Sequence, residues 1–131
     1  MDTNLNHRPL RVFLVEDSPL LKERMIELLR EIHGVELVGS AEGADEAIEQ
    51  VLEVRPDAVV LDIRLAEGTG FDVLRAVNDR APEIDFYMLS NFASATFRQL
   101  ASRLGARDFF DKSTEMERMR DVIAQRAVIV H

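Results

Sequence analysis

The sequence has no cysteine and no apolar run that approaches the length of a bilayer-spanning segment. The absence of cysteine excludes disulfide bonds and metal sites that depend on thiolates. Without a long apolar run there is no candidate transmembrane helix, and no charged-then-apolar secretory leader opens the chain. We therefore expect a cytoplasmic protein that has no membrane partner.

Positive charge is also in short supply, with 16 lysines and arginines against 24 acidic residues and a formal net charge of −8. This deficit argues against direct nucleic-acid binding through phosphate contacts. The negative charge lies within residues 1–92, whereas residues 93–131 carry slightly more basic than acidic side chains. The asymmetry is either incidental or marks a separate partner surface in the last third of the chain.

What the sequence does contain is the composition of one globular domain, with 131 residues of which 47% are apolar and 31% charged. We predict a flexible N-terminal tail over residues 1–9, a domain over 10–127 and a short extension over 128–131. Short β-type runs alternate with longer amphipathic segments, which favours βαβ units and a parallel sheet with helices on both faces. The predicted strands lie near 10–16, 35–40, 57–62, 84–90 and 107–111, and the predicted helices near 18–32, 44–54, 70–80, 94–104 and 114–127.

Two helix starts have clear local signals. Ser18 is a typical N-cap, and Pro19 suits the first helical position, where its missing N–H costs nothing. Thr114 followed by Glu117 predicts a capping box that opens the last helix.

Polar side chains follow four of the predicted strands at the point where each strand ends. They are Glu16-Asp17, Asp62, Ser90 and Lys112. Because open α/β folds bind ligands at the carboxyl ends of their strands, we expect these side chains to converge at one edge of the sheet. Three carboxylates, one hydroxyl and one ammonium suit a divalent cation beside a phosphoryl group.

The acidic groups point to a cation. Glu16 and Asp17 would repel each other and Asp62 unless a cation neutralised them. Oxygen ligands without histidine or cysteine select Mg²⁺ or Mn²⁺ rather than zinc. Taken alone, the Asp62 carboxylate could ligate a metal, act as a nucleophile or cap the following turn. Lys112 precedes a predicted helix start, where lysine is unfavourable, so we expect it to have a specific anionic partner.

Residues 10–127 resemble the receiver domains of bacterial two-component response regulators. The resemblance rests on Glu16-Asp17-Ser18, Asp62-Ile63-Arg64-Leu65 with Gly70 after it, Ser90, and Gly105-Ala106-Arg107-Asp108-Phe109 leading into Lys112. It implies an α/β flavodoxin-like (βα)5 fold, with a doubly wound five-stranded parallel sheet in the order 2-1-3-4-5. It also implies a signalling domain that assists its own phosphorylation and dephosphorylation and is not otherwise an enzyme.

The resemblance assigns the acidic residues their roles. Asp62 would be the phosphoacceptor, receiving a phosphoryl group from a histidine kinase, a phosphotransfer protein or a small acyl phosphate. Asp17, Asp62 and the backbone carbonyl of Arg64 would bind Mg²⁺ (or Mn²⁺), and Glu16 would act through water.

The resemblance also assigns the remaining site residues. Lys112 and Ser90 would each contact a phosphoryl oxygen, and Phe109 would be the aromatic residue that changes rotamer on activation. Phe110 is expected to face the opposite side of the sheet. Because the last third of the chain is mildly basic, we expect a downstream protein to dock on the face formed by the fourth helix, fifth strand and fifth helix, and we expect a monomer or a weak dimer.

Two departures from the family pattern affect the site. Glu16 stands where aspartate is frequent, and Ser113 follows Lys112 where a proline with a cis bond is typical. A cis bond costs roughly 3 kcal/mol before serine, against about 1 kcal/mol before proline. We therefore predict a trans Lys112–Ser113 bond and a rearranged loop after the fifth strand.

Other functions remain open at this point. The chain could be the receiver part of a longer DNA-binding regulator, although it ends soon after the fifth predicted helix, or a pseudo-receiver that serves only for protein interaction. An aspartyl-phosphate phosphatase is disfavoured because Arg64 stands where the compared enzymes have a second aspartate. Dinucleotide binding is disfavoured because no Gly-x-Gly-x-x-Gly opens the first helix.

Overall fold

The computed structural model describes residues 8–128, in which five strands and five helices alternate along the chain. The strands are β1 (Leu10–Val15), β2 (Val35–Ala41), β3 (Ala58–Asp62), β4 (Asp85–Ser90) and β5 (Asp108–Asp111). The helices are α1 (Pro19–Arg30), α2 (Ala44–Val54), α3 (Gly70–Arg80), α4 (Ala95–Arg103) and α5 (Met116–Val128). None of these helices, within the described residues, is long and apolar enough to cross a membrane. Most of the predicted tail and extension lies outside the described residues.

The five strands form one parallel sheet in the order β2-β1-β3-β4-β5, which confirms the predicted fold. Helices α2, α3 and α4 cover one face, where Phe13, Leu61 and Phe109 are buried. Helices α1 and α5 cover the other face, where Tyr87 and Phe110 are buried. Strand alternation thus sends neighbouring aromatic side chains of β5 into opposite layers of the core, as expected.

The helix starts agree with the sequence at α1 and differ at α5. The Ser18 hydroxyl accepts a hydrogen bond from the Leu21 N–H over 3.4 Å, and Pro19 is the first helical residue. The predicted capping box of Thr114 and Glu117 is wrong, because α5 begins at Met116. The Asp111 carbonyl accepts from the N–H groups of both Thr114 and Glu115, so a turn over 111–114 keeps Thr114 out of the N-cap position.

The loop between β3 and α3 is held tightly against the end of β3. The Gly70 N–H donates to the Ile63 carbonyl over 2.7 Å, and Arg64 pairs with Thr69 across the loop. A Cβ added to Gly70 would overlap the carbonyl oxygen of Asp62. This close approach requires glycine, and it fixes the backbone that carries the Asp62 carboxylate.

Candidate functional site

The carboxyl ends of β1, β3, β4 and β5 meet at one edge of the sheet and bring the predicted site residues together. Glu16, Asp62 and Ser90 are the buried polar residues within 8–128, with exposed fractions of 1%, 7% and 3%. A buried polar side chain is costly unless it has a partner. Three polar side chains of the interior therefore lie together at this edge.

Lys112 is the cation of this edge. Its ammonium donates to Glu16 Oε1 over 2.7 Å and to Asp62 Oδ2 over 2.8 Å, and its side chain is 9% exposed. The structure thus gives Lys112 two anionic partners, one directly after β1 and one at the end of β3. One ammonium facing two buried carboxylates leaves an excess of negative charge at the site.

The protonation equilibria follow from this arrangement. Burial raises the pKa of Glu16 above its ordinary value, and the charge of Asp62 adds to this effect, while the hydrogen bond from Lys112 opposes it. Burial acts to lower the pKa of Lys112, but its hydrogen bonds to Asp62 and Glu16 outweigh burial and raise that pKa. Lys112 is therefore a permanent cation at neutral pH.

Three carboxylates lie close enough to share a metal ion. Glu16, Asp17 and Asp62 each offer an oxygen, and these oxygens all lie within 4.8 Å of one another. Asp17 is half-buried, and its carboxylate has no hydrogen-bond or ion-pair partner within residues 8–128. An all-oxygen donor set with excess negative charge fits Mg²⁺ or Mn²⁺, so the residues present suit the expected cation.

Ser90 ends β4 beside this cluster. Its hydroxyl oxygen accepts a hydrogen bond from the Phe92 N–H over 2.8 Å, and its carbonyl accepts from the Lys112 N–H over 2.9 Å. Since the hydroxyl oxygen acts as an acceptor here, its own hydrogen is left to donate to a further group. The backbone bond also ties the ends of β4 and β5 together.

Arg64 and Phe92 connect two loops at the rim of the site, a contact that the sequence analysis did not predict. The Arg64 guanidinium lies 5.1 Å from the centroid of the Phe92 ring. Both residues line a cavity of about 620 Å³ between α3 and α4, next to Ser90. A cation–π contact between residues of separate loops depends on the tertiary fold, so no local pattern predicts it.

Phe109 is buried, and a basic residue of α4 covers it. The Arg98 guanidinium lies 5.1 Å from the Phe109 ring centroid and donates to the Phe109 carbonyl over 3.1 Å. Its other terminal nitrogen donates to Glu115 Oε1 over 2.9 Å, and that oxygen also accepts from the Asp111 N–H. One guanidinium therefore links α4, β5 and the start of α5.

The loop after β5 has the trans peptide that was predicted. No peptide bond within residues 8–128 is cis, which includes the bond between Lys112 and Ser113. Asp111 Oδ1 accepts from the Ser113 N–H over 2.8 Å and from the Ser113 hydroxyl over 2.6 Å. These hydrogen bonds lower the pKa of Asp111 and hold the loop in which Lys112 lies.

Fold and site together define a class of protein, an α/β domain with an acidic pocket at the carboxyl edge of a parallel sheet. Residues 12–124 match the response regulator receiver domain, and the chain therefore belongs to this family of two-component systems. The family binds Mg²⁺ at such an acidic pocket.

Two relatives that match this chain over part of their length have names that describe different functions. The chain is 37% identical over 108 residues to a protein-glutamate methylesterase/protein-glutamine glutaminase of Symbiobacterium thermophilum, covering 80% of this chain and 29% of the relative. It is 31% identical over 123 residues to the DNA-binding transcriptional activator DevR/DosR of Mycobacterium tuberculosis, covering 91% of this chain and 57% of the relative. The chain thus spans less than two thirds of either relative.

A solved structure agrees with the fold. The signal receiver domain of the putative response regulator NarL from Mycobacterium tuberculosis superimposes with a TM-score of 0.82 at 26% identity. The match covers 92% of this chain and 97% of that one.

Proposed function

We propose that Asp62 accepts a phosphoryl group from a histidine kinase or phosphotransfer protein and that the modified domain signals to a downstream protein in the cytoplasm. The observation that carries this proposal is the placement of the Lys112 ammonium between Asp62 and Glu16, at 2.8 Å and 2.7 Å. A fixed cation at the acceptor carboxylate provides the charge stabilisation that in-line phosphoryl transfer requires.

The proposed transfer is one displacement at phosphorus, in which one bond forms and one breaks. An Asp62 carboxylate oxygen forms a bond to phosphorus while the P–N bond of the donor phosphohistidine breaks, and the imidazole leaves with the bonding pair. The Lys112 ammonium contacts one phosphoryl oxygen, and the Ser90 hydroxyl donates its free hydrogen to another. Both groups are already held by neighbouring backbone and side-chain contacts, so little reorganisation is needed.

The cation site completes the proposal. Asp17, Asp62 and the Arg64 carbonyl would hold Mg²⁺, with Glu16 acting through water. When bound, Mg²⁺ neutralises charge on the phosphoryl oxygens. The clustering of the Glu16, Asp17 and Asp62 oxygens within 4.8 Å supports this assignment.

The proposed output passes through Phe109 and the face formed by α4, β5 and α5. Transfer at Asp62 adds a partner for Ser90 and Lys112, whose backbones are hydrogen-bonded to each other. Lys112 follows β5 directly, so a shift there reaches the Phe109 ring beneath Arg98. The domain would act as a monomer or weak dimer and present this face to a downstream protein.

Intact-mass measurement with acetyl phosphate and Mg²⁺ tests the acceptor. We expect one added phosphoryl group, lost in Asp62→Asn and retained in the control Asp79→Asn, which alters an exposed aspartate of α3. Absence of an adduct under these conditions would support the alternative of a pseudo-receiver. An adduct that persists in Asp62→Asn would place the acceptor elsewhere.

A second candidate is that this chain is the receiver part of a longer regulator. The observation in its favour is that the chain spans only 29% and 57% of the two curated relatives. Sequencing the gene on both sides of this region tests this, because an in-frame effector region before residue 1 or after residue 131 is expected if the proposal is right, and a start codon and a stop codon directly at the two ends contradict it.

A further inference from the structure

A second cavity lies at the other edge of the sheet, where the strands begin, and we call it the Tyr87 cleft. It has a volume of about 310 Å³, and its lining residues are Tyr87, Arg107, Arg118, Asp121, Val122, Gln125 and Arg126. Arg107 immediately precedes β5, and Arg126 belongs to the last turn of α5. Since the phosphoacceptor lies at the carboxyl ends of the strands, the Tyr87 cleft is separate from it.

Tyr87 supplies an unsatisfied polar group to this cleft. Its side chain is fully buried. Among the buried side-chain nitrogen and oxygen atoms of residues 8–128, the Tyr87 hydroxyl oxygen is the one that has no hydrogen-bond partner. Burial raises the pKa of Tyr87, and the charge of Asp85 adds to that effect, so the phenol stays protonated at neutral pH. It is therefore a hydrogen-bond donor without an acceptor, and because the oxygen is covered, a group in the cleft reaches it only when the side chains over it shift.

The arginines of the cleft also retain unused donors. Arg126 uses only Nε, which donates to Asp85 Oδ2 over 3.1 Å, so both of its terminal nitrogens have no partner among the described residues. Arg107 lies 3.5 Å from Asp85 Oδ1 and makes no hydrogen bond to it. Arg118 is more fully engaged, at 3.3 Å from both oxygens of Asp108. Donors outnumber acceptors in this cleft.

The lining also limits the shape of a ligand. The Tyr87 ring and Val122 give the cleft an apolar part, beside the charged side chains. The remaining carboxylate at the rim, Asp121, is 77% exposed and contacts Arg120 at 4.0 Å, so solvent screens its charge. A ligand with one anionic group and a small apolar body matches both parts of the lining.

We propose that the Tyr87 cleft binds a small organic carboxylate, whose oxygens accept from the terminal nitrogens of Arg126 and Arg107 and, once the side chains that cover it move aside, from the Tyr87 hydroxyl. Guanidinium groups match the geometry of a carboxylate and bind it through paired hydrogen bonds. The apolar body of the ligand packs against Val122 and the Tyr87 ring. Such a ligand would bind beneath α5, on the α4, β5 and α5 side of the domain.

Amide chemical shifts during titration with benzoate test the proposal, with the uncharged benzamide as the matched ligand. We expect benzoate to give saturable shifts at residues around Tyr87, Arg107 and Arg126, and benzamide to give none. Tyr87→Phe removes only the hydroxyl, and Arg126→Gln removes the guanidinium. Each should weaken binding at least fivefold. Arg103→Gln, an exposed arginine of α4 outside the cleft, should leave binding unchanged.

Several results would overturn the inference. One is the lack of saturable benzoate shifts at the cleft, and another is equal response to benzamide. Undiminished binding in both Tyr87→Phe and Arg126→Gln, with circular dichroism confirming that they fold, would exclude the cleft as the site. Asp62→Asn should bind benzoate as the unaltered protein does, so the outcome here is independent of whether Asp62 accepts a phosphoryl group.

Discussion

Lys112 and Glu16 lie 96 positions apart in the sequence, yet the Lys112 ammonium donates to Glu16 Oε1 over 2.7 Å. The longer side chain at position 16 still reaches the ammonium, which at the same time contacts Asp62 Oδ2. Glu16 also accepts from the Ser18 N–H over 3.1 Å, so its carboxylate links the end of β1 to the start of α1. A residue longer than the usual aspartate is thus accommodated by partners on both of its oxygens.

Removing this ammonium should destabilise the fold. Lys112→Met leaves two buried carboxylates without their cation, and we expect unfolding free energy to fall by about 3 kcal/mol in urea denaturation at neutral pH. Lys22→Met is the matched control, because its pair with Glu42 is partly exposed and should contribute about 0.5 kcal/mol. Equal losses in the two variants would contradict the assignment of Lys112 as a buried countercharge.

The pH dependence of Lys112→Met follows from Glu16. Its pKa in the folded protein is already raised by burial. A carboxyl whose folded pKa is raised favours the folded state at low pH, and that contribution is lost as pH rises through the folded value. The loss of unfolding free energy caused by Lys112→Met should therefore be smaller in acid than at neutral pH. A deficit that grows on acidification would show that Glu16 is not the group left uncompensated.

Gly70→Ala should disturb the β3–α3 loop, because the added Cβ would overlap the Asp62 carbonyl oxygen. We expect a loss of about 2 kcal/mol in unfolding free energy and slower phosphoryl uptake from acetyl phosphate. Gly43→Ala is the control, since its Cβ would meet only the flexible Glu67 carboxylate. Unfolding measurements that rank Gly43→Ala as the more damaging change would refute the requirement for glycine at position 70.

Arg98→Gln should loosen the contacts around Phe109. We expect a loss of about 1 kcal/mol, since the Arg98 side chain is partly exposed. The Asp111 N–H and then Arg98 lower the pKa of Glu115, so the variant should raise that pKa in a carbon-detected NMR titration. Arg103→Gln, which alters an exposed residue of the same helix, should leave it unchanged. An unaltered Glu115 titration in Arg98→Gln would contradict the hydrogen bond between Arg98 and Glu115.

Ser113→Ala tests the turn that follows β5. Its hydroxyl hydrogen bond is the largest cause of the lowered pKa of Asp111, so the variant should move that pKa up towards the ordinary aspartate value. A lowered folded pKa stabilises the protein above the ordinary value, and the contribution is lost as pH falls through the lowered one. The difference in unfolding free energy between Ser113→Ala and the unaltered protein should therefore become smaller in acid. NMR titration of Asp111 gives the direct readout, and identical curves would reject the hydrogen bond.

Much of the fold and the placement of the site could be predicted because the signals are local. An apolar run followed by Asp62 or Ser90 identifies a strand and its end in one stretch of sequence, and parallel strands bring such ends together. Ser18-Pro19 identified the start of α1 for the same reason. The capping box predicted at Thr114 is wrong because the Asp111 carbonyl accepts from the Thr114 N–H, the group that the Glu117 side chain would otherwise bond.

The rest depends on contacts between distant elements. Arg98 reaches Phe109 only because α4 packs beside β5, and Arg64 meets Phe92 only because two loops lie side by side. In the sequence, Tyr87 is an ordinary strand residue, and only the packing of α5 against β4 and β5 shows that its hydroxyl is buried without a partner. Long side chains such as arginine contact residues of other elements in the folded protein, and the spacing of residues in the sequence does not predict those contacts.

Strand β5 has four residues, and its two aromatic rings lie in opposite layers of the core, with Phe109 beneath Arg98 and Phe110 stacked on Tyr87 at a centroid distance of 6.5 Å. The two rings are carried by adjacent residues of one short backbone segment. Any twist that swings the Phe109 ring towards solvent must also turn Phe110 and alter its stacking on Tyr87. A twist of β5 that starts at its carboxyl end, next to Lys112, would in this way also change the shape of the Tyr87 cleft.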